Sequence, residues 1–346
     1  MQAIVLAGGE GTRLRPLTLS RPKPALRLVD RPFIQFMVDW LGHYGVSEVI
    51  IACGFRAELL RRALGEGADG APTIRYVEET EPLGTAGPIR LVAEQGGLGE
   101  RFLVLNGDVL TDLDLTELIH AHERTGATGT LALYPVADPT SYGLVLTGED
   151  DAVESFLEKP DPEDIATDEI SAGAYVLESG VLDLIPEGRA VSIEREVFPR
   201  LVGRGLYGRR LEGYWMDIGT PERYLQASWD ILERRVETDV EAAGVEGAVL
   251  VEDGCEIAAG AKVGPRVVLG SGSRVAENAV VTGSVLDSGC VVGENASVRD
   301  AILAPAVDVG AGATVLAGAV IGEGATVAAG ATVAGDARVP PGKAAS

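Results

Sequence analysis

The feature that most constrains this chain is a six-residue beat in its last third. From Val251 onward a branched apolar residue recurs at every sixth position: Val251, Ile257, Val263, Leu269, Val275 and Val281, then Val292 and Val298, then Val309, Val315, Ile321, Val327, Val333 and Val339. Two intervals break the beat, and both are eleven residues, two hexads less one. Helical periodicity is absent here, and Gly and Ala dominate between the branched positions. Such a repeat describes a coil in which each short strand buries one branched side chain, turns on small residues and stacks on the coil before it. A disordered Gly/Ala tail would not hold fourteen apolar positions in register.

With about three hexads per turn, the tract is expected to form a left-handed parallel β-helix of roughly five coils, as in hexapeptide-repeat proteins. Up to about residue 235 the pattern is different. Short β-branched runs, "AIVLA" (3–7), "EVIIAC" (48–53), "TIRYV" (73–77) and "RFLVLNGD" (101–108), alternate with segments of helical spacing at 33–45, 56–67 and 114–126. Alternation of this kind is the signature of an α/β domain with a Rossmann-like mixed, mostly parallel sheet flanked by helices. Asp114 stands where a helix N-cap is needed, and Gly45 where a helix stops. Residues 1–237 are read as the first domain, with 220–237 as its connecting helix, and 245–340 as the β-helix.

Composition narrows the partners. A formal charge of -23 and a pI near 4.5 argue against nucleic acid or an anionic membrane surface as a ligand. Any phosphate must then be met by a local cluster of cations and backbone N–H groups. The three cysteines, Cys53, Cys255 and Cys290, form no CxxC pair, which suits a reducing compartment. The apolar run Ala3 to Ala7 is too short for a signal segment, and a cytoplasmic location is expected.

The chemistry concentrates in "LAGGEGTRLRPLTLSRPKPAL" (6–26). A strand running into Gly8-Gly9-Glu10-Gly11-Thr12-Arg13 lets backbone N–H groups approach a phosphate chain. The dinucleotide fingerprint would need glycine where Leu14 stands, and the P-loop a Lys-Ser or Lys-Thr that is absent. By themselves the glycines also suit a tight turn with no ligand. Lys23, between Pro22 and Pro24, is one of only four lysines against 25 arginines.

This stretch resembles the signature of the sugar-1-phosphate nucleotidylyltransferases. The likeness continues through "EPLGTAGPI" (81–89), "LNGDV" (105–109), "VESFLEKP" (153–160), "SAGAYVL" (171–177), "SIEREVFP" (192–199) and "YWMDIGTPERYL" (214–225). It implies a nucleotide-diphospho-sugar transferase fold and transfer of a nucleotidyl group from an NTP to a sugar-1-phosphate with release of pyrophosphate. "EPLGTAGPI", "SIEREVFP" and "YWMDIGTPE" are most similar to members that join GTP to mannose-1-phosphate. The alternative pair is dTTP or UTP with glucose-1-phosphate, and a different class is a non-catalytic subunit that senses a nucleotide sugar.

The resemblance implies roles residue by residue. Arg13 would hold the triphosphate, Lys23 would lie along the α-phosphate, and Asp108 and Asp217 would bind Mg²⁺, which takes one or two carboxylates plus phosphate oxygens and water. Ala7, Gly8, Gly9, Gly11, Thr12 and Gly84 would bind the nucleotide. Gly143, Glu158, Lys159 and Gly173 would bind the sugar phosphate. Two departures stand out: Ser171 replaces the usual Asn before Ala-Gly, and Arg27 stands where proline is common. Residues 238–346 contain no histidine, which speaks against the acyl transfer that hexapeptide coils often perform, so the β-helix is assigned to assembly or regulation within a homo-oligomer. His43, His120 and His122 are read as surface or packing residues.

Overall fold

The computed structural model describes residues 1–54, 56–67, 70–240 and 247–345. Two compact units partition it: Met1–Gly9 with Met37–Trp215, and Glu10–Phe36 with Met216–Ser346.

The first unit is built on a nine-stranded mixed sheet. Four strands, Arg101–Asn106, Gln2–Leu6, Glu48–Cys53 and Thr73–Glu78, lie side by side in parallel. The near-continuous apolar runs of the first three are what a sheet covered on both faces requires, and Ala3, Ile4, Val5, Val49, Ile50 and Ile51 are fully buried. The strand Glu169–Glu178 continues the sheet antiparallel to Arg101–Asn106, and Gly143–Thr147 and Val153–Glu158 follow beyond it. The strand Gly129–Pro135 also pairs with Glu169–Glu178 and takes Leu206–Arg210 as a parallel neighbour.

Local chemistry sets the helix ends. Asp114 accepts from the N–H groups of Thr116 and Glu117, at 2.8 and 3.3 Å, and starts the helix Leu115–Thr125. Gly126, at φ +60°, ends it. Under the sheet Phe198 packs against Tyr175 and Phe156, with ring centroids 5.0 and 5.3 Å apart.

In the second unit the C-terminal tract forms three parallel sheets of six, six and five short strands, in keeping with a left-handed parallel β-helix and slightly taller than five coils. Its core is a column of buried Val, Ile, Leu and Ala. The two eleven-residue intervals prove to be filled. Leu286 and Leu303 are fully buried and take the intermediate places, so one corner of the coil is five residues long in each case, after Val281 and after Val298. Pairing partners around these corners are 17 residues apart, as in Leu269 with Leu286 and Leu286 with Leu303, and return to 18 with Leu303 and Ile321.

One of these shortened corners lies against the helix Pro221–Leu232. Thr220 caps that helix, and Trp229 donates its indole N–H to the carbonyl of Gly283 at 3.1 Å. The segment Glu10–Phe36 belongs to this unit too, as a run of single turns and the small hairpin Arg27–Leu28 with Arg31–Pro32.

Candidate active site

In the first unit the registers place most candidate residues along one rim of the sheet. Leu6, Cys53 and Glu78 end their parallel strands there, level with Asn106. The antiparallel partners bring their opposite ends to the same rim: Ala174 pairs with Leu105, Ile170 with Leu144, and Glu158 with Gly143. Ala7, Gly8, Asp108, Gly143, Glu158 and Gly173 are therefore neighbours on the edge at which the parallel strands finish, where open α/β sheets bind ligands. Gly107 donates to the carbonyl of Leu6 at 2.9 Å, and this tight junction sets Asp108 beside the exit of the first strand.

The "PLGTAG" loop and a second motif form one clasp. Val191 donates to the carbonyl of Leu83, and Ala86 donates back to the carbonyl of Val191, each at 2.9 Å. Gly84 sits at φ +76°, where a β-carbon would lie 2.5 Å from the Val191 carbonyl oxygen, so only glycine fits. Thr85 donates its hydroxyl to Glu194 at 2.6 Å and accepts from the N–H of Ile193 at 2.9 Å. "PLGTAG" and "VSIERE" thus act as a single structural piece, a link invisible in their sequence separation. Glu79 lies at its mouth. Its Oε2 accepts from Leu83 N at 3.1 Å, its Oε1 faces Gly8, and burial raises its carboxyl above the ordinary range.

At the other end of the rim, Lys159 adopts φ +54° and donates its N–H to the carbonyl of Tyr142 at 2.9 Å. Its side chain is 60% exposed, and its ammonium lies 3.8 Å from Glu158. Burial, and then the charge of Glu194, raise the Glu158 carboxyl, with Lys159 pulling the other way. Gly173 marks a bulge: the register slips between Ser171 and Tyr175, and a β-carbon on Gly173 would meet the side chain of Asn106. Trp215 donates to the carbonyl of Ala172 at 2.7 Å and packs between Tyr134 and Tyr142, with centroids 5.7 and 5.4 Å away. These rings form an apolar wall next to the Tyr142-Gly143 turn.

The second unit holds Arg13 and Lys23. Gly11 is left-handed at φ +60°, and a β-carbon on it would lie 3.0 Å from Cβ of Lys23 and 3.0 Å from Cγ2 of Thr18. Thr18 donates its hydroxyl to the Gly11 carbonyl at 2.9 Å. The glycine loop and Pro-Lys-Pro are therefore packed on each other, with Lys23 buried to 8% exposure. Pro22 precedes a single 3-10 turn, Lys23–Ala25, which closes with Leu26 N donating to the Lys23 carbonyl at 3.1 Å. Thr12 opens the neighbouring turn that carries Arg13. The Arg13 guanidinium and the Asp217 carboxylate both lie against Gly219. Arg223 pairs with Asp217 Oδ2 at 3.0 Å, which engages one of the two oxygens of that carboxylate.

Gly11, Thr12, Arg13, Lys23 and Asp217 are thus together in the second unit, while Ala7, Gly8, Gly9, Gly84, Asp108, Gly143, Glu158, Lys159 and Gly173 belong to the first. The sequence reading missed Glu79, Glu194, Asn106, Trp215 and Arg223. Arg223 could have been found from its spacing, since it lies six residues beyond Asp217 at the start of a helix. Among the described residues no group of three or more His, Cys, Asp or Glu is arranged to hold a metal unaided. The donors on offer are hard carboxylate oxygens, which suits an ion that completes its shell with phosphate oxygens and water.

A glycine-rich strand exit and a clasped loop at the rim of a mixed sheet, in a chain that continues into a β-helix, are features of a nucleotidyl-transferring enzyme. A family model described as nucleotidyl transferase matches residues 2–234, and one described as GMPPB C-terminal domain matches residues 245–345. The chain belongs to the nucleotidyl transferase family, whose members generally use a divalent metal ion. It is 41% identical to the mannose-1-phosphate guanylyltransferase of Mycobacterium tuberculosis, over 82% of this chain and 79% of that protein. It is 40% identical to the probable mannose-1-phosphate guanylyltransferase 3 of Oryza sativa subsp. japonica, over 80% and 78%, and 38% identical to mannose-1-phosphate guanylyltransferase 1 of Arabidopsis thaliana, over 79% and 77%. Among solved structures, HddC from Yersinia pseudotuberculosis is similar at a TM-score of 0.58 and 27% identity, covering 66% of this chain and 99% of its own.

Proposed function

We propose that this enzyme joins GTP to mannose-1-phosphate, making GDP-mannose and pyrophosphate with Mg²⁺ as the cation. In this reading residues 1–237 are the catalytic domain and 245–340 the β-helix domain. A phosphate oxygen of the sugar phosphate attacks the α-phosphorus of GTP, the bond from that phosphorus to the bridging oxygen breaks, and pyrophosphate leaves. The nucleophile is already ionised, so the chain has no proton to remove; its task is positioning and charge neutralisation.

Lys23 supplies a compact charge at the α-phosphate, and Arg13 a planar fork for the leaving phosphates. Backbone N–H groups of Gly8, Gly9, Gly11 and Thr12 receive phosphate oxygens. Lys159 meets the sugar phosphate, and Glu158 and the backbone at Gly143 and Gly173 receive the sugar. Asp108 and Asp217 are the proposed metal carboxylates; a bound Mg²⁺ would neutralise charge gathering on the phosphate oxygens.

The observation that carries the reading is the packing of Gly11 on Lys23, which supports taking the glycine turn and the buried lysine as one phosphate-binding element. The choice of base is supported by Glu79. An ionised carboxylate only accepts hydrogen bonds, and guanine presents two adjacent donors, N1–H and N2–H, whereas thymine and uracil present one donor between two carbonyl acceptors. Glu79 stands at the base-side loop beside Gly8.

A panel of GTP, dTTP and UTP against mannose-1-phosphate and glucose-1-phosphate, read by pyrophosphate release, tests the proposal. GTP with mannose-1-phosphate should turn over fastest. Turnover of GTP no better than that of dTTP or UTP would overturn the guanylyl assignment.

A further inference from the structure

The segment that carries Lys23 is anchored on the β-helix. Arg27, four residues beyond Lys23, pairs its guanidinium with Oε1 of Glu252 at the first turn of the β-helix. Both side chains are more than four-fifths buried, at 18% and 17% exposure. The second oxygen of Glu252 accepts from Ser271 N and Ser271 Oγ, each at 2.8 Å, so the carboxylate is held in place by the next coil. Arg27 also donates Nε to the Val29 carbonyl at 3.0 Å, and its own carbonyl accepts from the hydroxyl of Tyr224. Tyr224 is 5% exposed and follows Arg223, the partner of Asp217. Between Arg27 and Lys23 the chain has almost no slack. Leu26 N is bonded to the Lys23 carbonyl at 3.1 Å, and Phe33 N to the Leu26 carbonyl at 2.8 Å.

We propose that the Arg27–Glu252 pair, with Tyr224, is a latch through which the β-helix positions Lys23 for nucleotidyl transfer. Arg27 and Glu252 are positioning residues: they act on the reaction through the turn that carries the lysine. The proposal rests on the reading of Lys23 as the group at the α-phosphate. It gives the β-helix a part in catalysis in addition to assembly, and it accounts for Arg27, whose side chain stands where proline is common in the family resembled. A buried carboxylate satisfied by an arginine and two serine donors is well seated, and removal of the arginine leaves its charge uncompensated. The valine column of the β-helix does not include either residue, so loss of the pair should loosen the loop with the domain's core intact.

The test uses the full chain and measures kcat and KM for both substrates in Arg27→Gln, Glu252→Gln, the double variant, and Lys23→Ala as reference. Each single substitution should lower kcat about tenfold with KM for mannose-1-phosphate nearly unchanged, because a small misplacement of a reacting group is costly. The double variant should be no worse than either single one, as expected of partners in one interaction. Wild-type kcat in both single variants, or losses that add in the double variant, would overturn the latch while an inactive Lys23→Ala leaves the transfer reading standing. Wild-type turnover by Lys23→Ala would overturn the reading on which the latch rests.

Discussion

Gly11→Ala separates backbone strain from contact with Lys23, the lysine proposed to lie at the α-phosphate. Gly11 has φ +60°, and so does Gly126, the residue that ends the helix Leu115–Thr125. Alanine in this left-handed region costs roughly 1–2 kcal/mol at either position. The surroundings differ: a β-carbon at Gly126 meets nothing within 4 Å, whereas at Gly11 it lies 3.0 Å from Lys23 Cβ and from Thr18 Cγ2. Lys23 is buried and closes its own turn, so it must give way by a few tenths of an ångström or the loop must open. Crowding of that kind adds about 1–3 kcal/mol, and because misplacing a group by about 1 Å costs on the order of a hundredfold, a smaller shift should lower kcat about tenfold. The assay is kcat for pyrophosphate release and the thermal midpoint of both variants. Gly126→Ala should lose stability and keep its turnover, while Gly11→Ala loses both. If Gly11→Ala turned over as fast as Gly126→Ala, the packing of the glycine loop on Lys23 would have no part in catalysis.

Further outcomes follow from other residues. Glu79→Gln should lower kcat/KM for GTP by roughly ten- to a hundredfold, since a hydrogen bond to a charged acceptor is worth about 1.5–3 kcal/mol, and should affect UTP and dTTP less; an unchanged GTP preference in the substrate panel would remove Glu79 from base selection. The buried His122 bonds Thr130 at 2.9 Å and Glu178 at 3.0 Å, and burial, followed by weaker opposing interactions with Glu178, leaves its pKa lowered. Burial also works against the Glu178 carboxylate, but its bonds to His122 and Arg101 prevail and hold it low. The unfolded chain therefore binds more protons than the folded one below the ordinary histidine range, so stability should fall as pH drops below about 6.5. Denaturant midpoints measured from pH 7.5 to pH 5 should show this slope, and His122→Gln should flatten it; an equal slope in the variant would place the proton uptake elsewhere.

Much of this was legible in the residues because it rests on local rules. The Asp114 cap, the apolar parallel strands and the hexad column each follow from a period or a cap that a single stretch of chain displays. The filled intervals at Leu286 and Leu303 were not, because a five-residue corner moves the core position one place off the six-residue beat. Glu79 and Glu194, and the partner of Arg27, escaped for a different reason. The contacts, Glu79 with Leu83, Glu194 with Thr85 and Arg27 with Glu252, span from 4 to 225 residues, and the loop or pair geometry exists only once the chain is folded. The placement of Glu10–Phe36 with the β-helix unit likewise depends on long-range pairs that composition does not display.

The most direct test of the central claim follows the α-phosphorus itself. GTP labelled with ³²P at the α-phosphate is incubated with mannose-1-phosphate, Mg²⁺ and the full chain, and the products are separated. All of the transferred label should appear in GDP-mannose with the pyrophosphate unlabelled, and chelation of the metal should stop the transfer. Label recovered as GMP, or left in GTP while UTP or dTTP reacts, would contradict guanylyl transfer by this site.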